Sequence, residues 1–291
     1  MSTVVTTKLK NQDKLPLTCA RTGTCCHGNL VFLNPWELRC LADEKKITPR
    51  EFRELYCDLG GIRLKFQGKK DVRGKQACNQ YIENFGCSVH IARPLACRLF
   101  PLGRQIQNNE VNYIFQGEDF PCSNGCPEVF DLPHLSVGEY LEGQETDKFE
   151  KAQDAYLELI QNLADVAFIF LLDSGLFEDK NDQTLKKWRA LGFELPESLA
   201  EKIGVEWLDY LMIPTITAEL DDPISFAQTH NDLLQSLAQE KFGSLQSNQE
   251  LHEASVLMMT LALYLAIAIG ANSKNLVEHW IETAKNHGAK E

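Results

Sequence analysis

The sequence predicts an α+β protein of two domains, a loop-rich domain over residues 1–135 and an all-α helical domain over residues 136–291. Three observations lead to this prediction. All 10 cysteines lie within the first 126 residues. The net charge is +4 before the predicted boundary and −16 after it, and the two add up to the −12 of the whole chain. From about residue 136 onward, apolar residues recur at the three- and four-residue steps of helices.

The first elements of the N-terminal domain have clear local signals. The apolar run "NLVFL" at 29–33 predicts a short strand. Asn34 and Thr48 each precede a proline, and each is followed three residues later by a glutamate. This is the capping-box pattern, so we expect a helix to begin after each of them.

The next stretch, "GGIRLKFQGKKDVRGKQAC" at 60–78, alternates apolar and polar residues around a polar centre. It predicts a hairpin with a solvated tip. Six basic residues lie in it, but Phe66 is the only aromatic residue among them. Nucleic-acid binding is therefore not predicted.

Helical periodicity dominates the second half of the chain. Predicted helices cover "DKFEKAQDAYLELIQNLADVAFIFLLDSG", "QTLKKWRALG", "PESLAEKIGVEWLDYLM", "PISFAQTHNDLLQSLAQEKFG", residues 250–270 and "SKNLVEHWIETAKN". The run at 255–270 is apolar on almost all sides, which predicts a central helix wrapped by the others. The acidic surface of this half is a candidate site for a protein partner.

The predicted location is the cytoplasm. Residues 1–14 contain no apolar segment behind a basic start, and the run at 255–270 is short of a membrane span, so no export and no membrane association is expected. Cytoplasmic thiols are kept reduced. Ten cysteines in that compartment favour metal binding or redox chemistry over structural disulfides.

The cysteines form three groups set among turn-forming residues. The groups are "CARTGTCC" with Cys19, Cys25 and Cys26, "CNQYIENFGCSVHIARPLAC" with Cys78, Cys87 and Cys97, and "CSNGC" with Cys122 and Cys126. Glycine and proline next to cysteines give sharp local backbone turns, which suit ligands that converge on one point. Soft thiolate ligands select zinc, iron or iron–sulfur clusters.

The same residues resemble a known family. "CARTGTCC", a later cysteine and "GCSVHIARPLACRLFP" are similar to the bacterial cysteine-cluster family of zinc- or iron-chelating domains, which also occurs within flagellin lysine-N-methylases. The resemblance covers roughly residues 17–126. It implies a metal-binding N-terminal domain and says nothing clear about residues 136–291.

One position departs from the family pattern. Thr22 stands where the family has the second cysteine of its first motif, and we expect Cys126 to supply the missing thiolate. The predicted metal ligands are Cys19, Cys25, Cys26, Cys78, Cys87, Cys97, Cys122 and Cys126. Because neighbouring side chains diverge on extended backbone, the adjacent pair Cys25 and Cys26 is expected to serve two metals, or one metal and the core.

Other residues near the cysteines each allow two interpretations. His27 and His90 are either imidazole ligands or ordinary hydrogen-bonded histidines. Arg93 and Arg98 either lower the pKa of a thiol or lock the "RPLACR" turn. Cys40 and Cys57 lie on predicted helices with apolar neighbours, so we interpret them as core thiols.

The sequence leaves the question of catalysis open and assigns no catalytic residue. It contains no glycine-rich nucleotide-binding fingerprint after a plausible strand, no GxSxG and no HExxH motif. The leading hypothesis is a cytoplasmic protein that binds zinc or iron, with an iron–sulfur cluster as one form of the latter. The alternatives are a redox enzyme or sensor that uses the cysteines, and a factor related to protein methyltransferases.

Overall fold

The structure is a computed structural model that describes residues 6–15, 23–107, 110–116, 131–175, 181–217 and 219–289. The chain divides into two units that alternate along the sequence. Unit 1 consists of Met1–Val31 and Leu64–Glu150, and unit 2 consists of Phe32–Arg63 and Lys151–Glu291.

The predicted boundary at residue 135 and this division differ in two places. Residues 32–63 group with the C-terminal helices, and residues 136–150 group with the cysteine segments. That the chain has separate functions before and after residue 135 stays a prediction.

The fold is α+β, with a strand-containing N-terminal part and a helical C-terminal part. The strands are β1 (Thr6–Leu9), β2 (Cys57–Asp58), β3 (Arg63–Leu64), β4 (Tyr81–Ile82), β5 (Gly86–Cys87), β6 (Leu102–Gln107) and β7 (Glu110–Gln116). The helices are α1 (Pro35–Lys45), α2 (Pro49–Tyr56), α3 (Leu95–Leu99), α4 (Val137–Gly143), α5 (Asp147–Asp173), α6 (Asn181–Leu191), α7 (Pro196–Met212), α8 (Pro223–Phe242), α9 (Asn248–Ala268) and α10 (Ser273–Asn286).

Unit 1 is organised by an antiparallel sheet in the order β1-β7-β6. The register pairs Leu9 with Tyr113 and Leu102 with Phe115. Leu102 also belongs to a buried cluster with Leu15, Val137 and Tyr140, so α4 packs on the sheet through its apolar face. This packing fixes the chain just after α3, the helix that carries one of the predicted ligands.

The predicted hairpin is present in unit 1. The backbone pairs across Lys70 and Gln76, and the carboxylate of Asp71 accepts hydrogen bonds from the N–H groups of Arg73 and Lys75, both at 2.9 Å. An aspartate that bonds the backbone two residues ahead is a typical turn device.

The two predicted capping boxes are confirmed in unit 2. Asn34 and Thr48 accept hydrogen bonds from the N–H groups of Glu37 and Glu51, and both glutamates bond back to the cap residues. The run at 29–33 is not a strand, contrary to the prediction. It pairs only through an isolated bridge from Phe32 to Arg63, because the chain turns into α1 immediately afterwards.

The helices of unit 2 follow the predicted segments closely. The central helix α9 is buried along most of its length and packs against α6, α7 and α10, as its apolar sequence predicted. Helix α7 is interrupted at Gly204, which has a φ of 77°, an angle that glycine adopts much more readily than other residues. Helices α5 and α9 are also long and apolar enough to cross a membrane. Buried core helices of soluble proteins meet the same criteria of length and composition.

A buried histidine connects three helices of unit 2. His230 on α8 is 0 % exposed, and its Nε2 bonds the carbonyl oxygen of Tyr210 at 3.0 Å while its Nδ1 accepts from the hydroxyl of Tyr156 at 3.1 Å. Both ring nitrogens are therefore satisfied in the neutral form. Burial lowers the pKa of His230 from 6.5 to about 4.

We expect the stability of unit 2 to fall as the pH drops from about 6.5 to about 4. The unfolded state binds a proton in this window that folded His230 does not, so protonation favours unfolding by up to about 3 kcal/mol. The measurement is guanidinium unfolding, followed by helical circular dichroism at pH 7 and pH 4.5. His230→Gln should reduce the pH dependence, whereas the same change at exposed His279 should leave it as in the unsubstituted protein.

Candidate metal centre

Cys25 and Cys26 lie in a single 3-10 turn over Thr24–Cys26. The N–H of Cys26 donates to the carbonyl of Gly23 at 2.8 Å, which closes the turn. Gly23 has a φ of 76°, and a Cβ at this position would lie 2.6 Å from a ring carbon of Tyr81. The residue before the cysteine-bearing turn therefore needs to be glycine both for its backbone angle and for space.

This turn corrects the prediction for the adjacent pair. The backbone at Cys25 and Cys26 is helical and not extended, and both residues line the same cavity. The two side chains point to the same region. The assumption of extended backbone is therefore wrong, and the number of metals that the pair serves stays a prediction.

Cys78 is joined to this turn by backbone pairing. Its N–H donates to the carbonyl of Cys26 at 2.7 Å, beside an antiparallel bridge between His27 and Ala77. Cys87 follows on β5, which pairs with β4 through Cys87 and Tyr81. The two cysteine segments thus lie side by side in unit 1.

Cys97 lies on the short helix α3, which begins after Pro94. The next residue, Arg98, is 3 % exposed and binds three backbone carbonyl oxygens. Its guanidinium donates to Arg93 at 2.9 Å, to Gln144 at 2.7 Å and to Ile91. It also lies 3.9 Å from the ring centroid of Phe149, a cation–π contact.

The two arginines near Cys97 therefore have different roles. Arg98 holds the "RPLACR" turn by binding carbonyl oxygens. Arg93 acts electrostatically on Cys25, where its positive charge favours the thiolate.

Five cysteines line one cavity of about 360 Å³ in unit 1. They come from three separate stretches of the chain: Cys25, Cys26, Cys78, Cys87 and Cys97. None of the seven described cysteines forms a disulfide with another described cysteine. Cys40 and Cys57 lie in unit 2 and do not line the cavity, and Cys57 is buried as expected of a core thiol. The predicted ligands Cys19, Cys122 and Cys126 lie outside the described residues.

The thiols of the cavity influence one another electrostatically. The hydrogen bond from Cys26 lowers the pKa of Cys25 to about 7, despite burial, which acts in the opposite direction. The same hydrogen bond raises the pKa of Cys26, and the neighbouring Cys97 and Cys87 raise it further. Burial raises the pKa of Cys78 to about 11. Several thiolates close together are unfavourable unless a cation offsets their charge.

The two nearby histidines differ in their environment. His27 packs its ring edge-on against Tyr81 at a centroid distance of 4.8 Å, and its Nδ1 lies 3.2 Å from the carbonyl of Gly23. It is an ordinary hydrogen-bonded histidine. His90 lines the cavity, and its Nδ1 lies 2.9 Å from the guanidinium of Arg93.

The chemistry of these side chains suits a soft metal. Thiolate sulfur is the preferred donor for zinc and for iron–sulfur clusters. In the described part of the chain, no three His, Cys, Asp or Glu side chains are arranged to hold one ion. Binding would therefore require thiol side chains of the cavity to rotate onto a common point.

The fold and the cavity define unit 1 as a small α+β domain with clustered thiols, the kind of site that chelates soft metals. Residues 18–115 match the family model named CxxCxxCC, described as "Putative zinc- or iron-chelating domain". This match confirms the resemblance seen in the sequence and supports metal binding in general. The match stops before Cys122 and Cys126 and includes Cys19. Neither the curated proteins nor the solved structures contain a significant match.

Replacing Arg98 with methionine should destabilise unit 1 by on the order of 3 kcal/mol. The apolar side chain fills similar space but leaves three partly buried carbonyl oxygens without their charged donor. The measurement is chemical unfolding with a tyrosine or circular-dichroism signal. Arg73→Met removes an arginine from the hairpin tip and should cost less than about 1 kcal/mol. Equal effects of the two substitutions would contradict the anchoring role of Arg98.

Proposed function

We propose that unit 1 binds zinc or iron through its clustered cysteines. The observation that carries this proposal is the meeting of five thiols, from three stretches of the chain, at one cavity. The match of residues 18–115 to the model of a zinc- or iron-chelating domain also supports it.

The electrostatics of the cavity give a physical reason for a cation there. Cys26 and Cys78 have raised pKa values in the folded chain, so thiolates at these positions are costly without a neighbouring positive charge. A metal ion supplies that charge, and its binding releases the thiol protons. Arg93 adds positive charge at the same cavity.

The proposed ligands include the five thiols of the cavity. We add Cys19, Cys122 and Cys126 from their positions in the cysteine motifs of the sequence. Cys19 lies within the segment that matches the family, whereas the other two follow it.

The finer features of the function are part of the same proposal. An iron–sulfur cluster is the alternative to single zinc or iron ions, because cysteine thiolates hold both kinds of centre. A cytoplasmic location suits either centre, since thiols remain reduced there. The acidic residues 136–291, with a net charge of −16, are proposed to present a surface to a protein partner.

Cys87→Ser and Cys97→Ser should each lower the metal content per chain by at least about half, because serine oxygen is a poor ligand for zinc and iron. Metal is measured by elemental analysis on protein purified without oxygen and without an affinity metal. Cys40→Ser makes the same chemical change outside the cavity and should leave the metal content unchanged. Retention of full metal content by the Cys87 or the Cys97 variant would remove that residue from the ligand set.

The purified protein should carry about one or two zinc or iron ions per chain. A zinc site is colourless, whereas an iron–sulfur cluster gives a brown protein with visible absorption and acid-labile sulfide. Elemental analysis and an absorption spectrum of the same sample distinguish them. A chelator should unfold unit 1 if the metal is structural, because the free energy of metal binding then contributes to folding. Protein that contains neither metal and takes up neither on reconstitution would refute the proposal.

A further inference from the structure

Cys26 and Cys78 lie opposite each other where two segments of unit 1 pair. The antiparallel bridge joins His27 to Ala77, so its register places Cys26 opposite Cys78. The N–H of Cys78 donates to the carbonyl of Cys26 at 2.7 Å, in agreement with this register. The Cα atoms of opposite residues in antiparallel pairs are about 4.5–5.5 Å apart, and their side chains leave the same face.

These positions meet the geometric requirement for a disulfide, which joins residues whose Cα atoms are about 4.4–6.8 Å apart. Cys26 and Cys78 also line the same cavity. A bond between them therefore requires rotation of side chains and no change of the backbone pairing. The adjacent pair Cys25 and Cys26 does not meet the requirement, because neighbouring Cα atoms across a trans peptide are only about 3.8 Å apart.

The two sulfurs differ in their access to solvent. Cys26 is partly exposed, whereas Cys78 is 8 % exposed, and the N–H of Gln80 donates to its sulfur at 3.5 Å. A small oxidant that enters the cavity therefore meets Cys26 first, and Cys78 is the second thiol. An accessible cysteine next to a second thiol is the arrangement that converts a sulfenic acid into a disulfide.

We propose that a peroxide joins Cys26 and Cys78 in a reversible disulfide, and that this bond withdraws two sulfurs from the metal site. The effect on metal rests on the proposed function, since a disulfide sulfur no longer serves as a thiolate ligand. Cytoplasmic thiol reductants would restore both thiols.

The oxidation takes place in two balanced steps. The sulfur of Cys26 attacks one peroxide oxygen, the O–O bond breaks, and the leaving oxygen departs as water with the thiol proton, so that Cys26 becomes a sulfenic acid. The sulfur of Cys78 then attacks the sulfur of Cys26. The S–S bond forms, the S–O bond breaks, and the hydroxyl group leaves as a second water with the proton of Cys78. The two sulfurs together give two electrons to the peroxide.

The test treats the full chain, purified without oxygen, with hydrogen peroxide. The remaining thiols are then blocked, and the protein is digested with trypsin and a protease that cuts after glutamate. A cut after Glu83 separates Cys78 from Cys87 and Cys97, and fragmentation of the linked peptides in a mass spectrometer distinguishes Cys25 from Cys26. The bond between Cys26 and Cys78 should be the main disulfide, and dithiothreitol should remove it.

Two neighbouring variants make the test specific. Cys26→Ser should lower the yield of disulfide at Cys78 at least about tenfold, whereas Cys25→Ser makes the same chemical change one residue earlier and should retain the bond. Elemental analysis of the unsubstituted protein before and after oxidation should show that at least about half of the metal is lost. Dithiothreitol together with added zinc or iron(II) should restore the metal content.

The inference is overturned if Cys78 stays a free thiol after oxidation, if its main partner is another cysteine, or if Cys26→Ser forms as much disulfide at Cys78. If Cys26→Ser does not fold, as judged by circular dichroism, the fragmentation of the linked peptides from the unsubstituted protein decides.

The metal analysis separates this inference from the proposed function. Metal in the reduced protein without the disulfide after oxidation would support the proposed function and overturn the inference. The disulfide in a protein that takes up no metal when reduced would refute the proposed function and support the bond alone. The disulfide without any loss of metal would overturn its control of the metal site.

Discussion

The arrangement of unit 1 depends on the backbone pairing between two cysteine segments that are distant in sequence. The N–H of Cys78 bonds the carbonyl of Cys26 at 2.7 Å, and the N–H of Gly28 bonds the carbonyl of Gln76 at 2.9 Å. Joining two distant segments costs loop-closure entropy, which these hydrogen bonds and the adjacent packing offset. Without this pairing the cysteine pair and Cys78 would not line the same cavity.

The second constraint acts on the segment that carries Cys97. Arg98 binds backbone carbonyl oxygens and stacks on Phe149, and the hydroxyl of Tyr140 donates to the carbonyl of Phe100. Short irregular segments leave carbonyl groups without partners, and here side-chain donors satisfy them. The rigidity of the turn thus comes from buried donors around it, and the turn carries Cys97, which lines the cavity.

These two constraints have opposite electrostatic consequences for the cavity. They hold several thiols close together and bury them, so that the interaction with Cys25 raises the pKa of Cys26 and burial raises the pKa of Cys78. Arg93 places a positive charge at the same cavity and favours the thiolate of Cys25. A site with clustered thiols favours a cation at the sulfur atoms, and the nearby arginine offsets part of the thiolate charge.

The sequence by itself determined the helices of unit 2, the capping boxes at Asn34 and Thr48, and the grouping of cysteines that resembles the family whose model matches residues 18–115. These features are local, because capping and helical periodicity depend on residues within a few positions of one another. Tertiary structure decided the rest. The sheet β1-β7-β6 was not predicted, since its strands come from both ends of the N-terminal region and its pairing is long-range. The convergence of Cys25, Cys26 and Cys78 on one cavity depends on a turn and on pairing between distant segments, which no local pattern encodes.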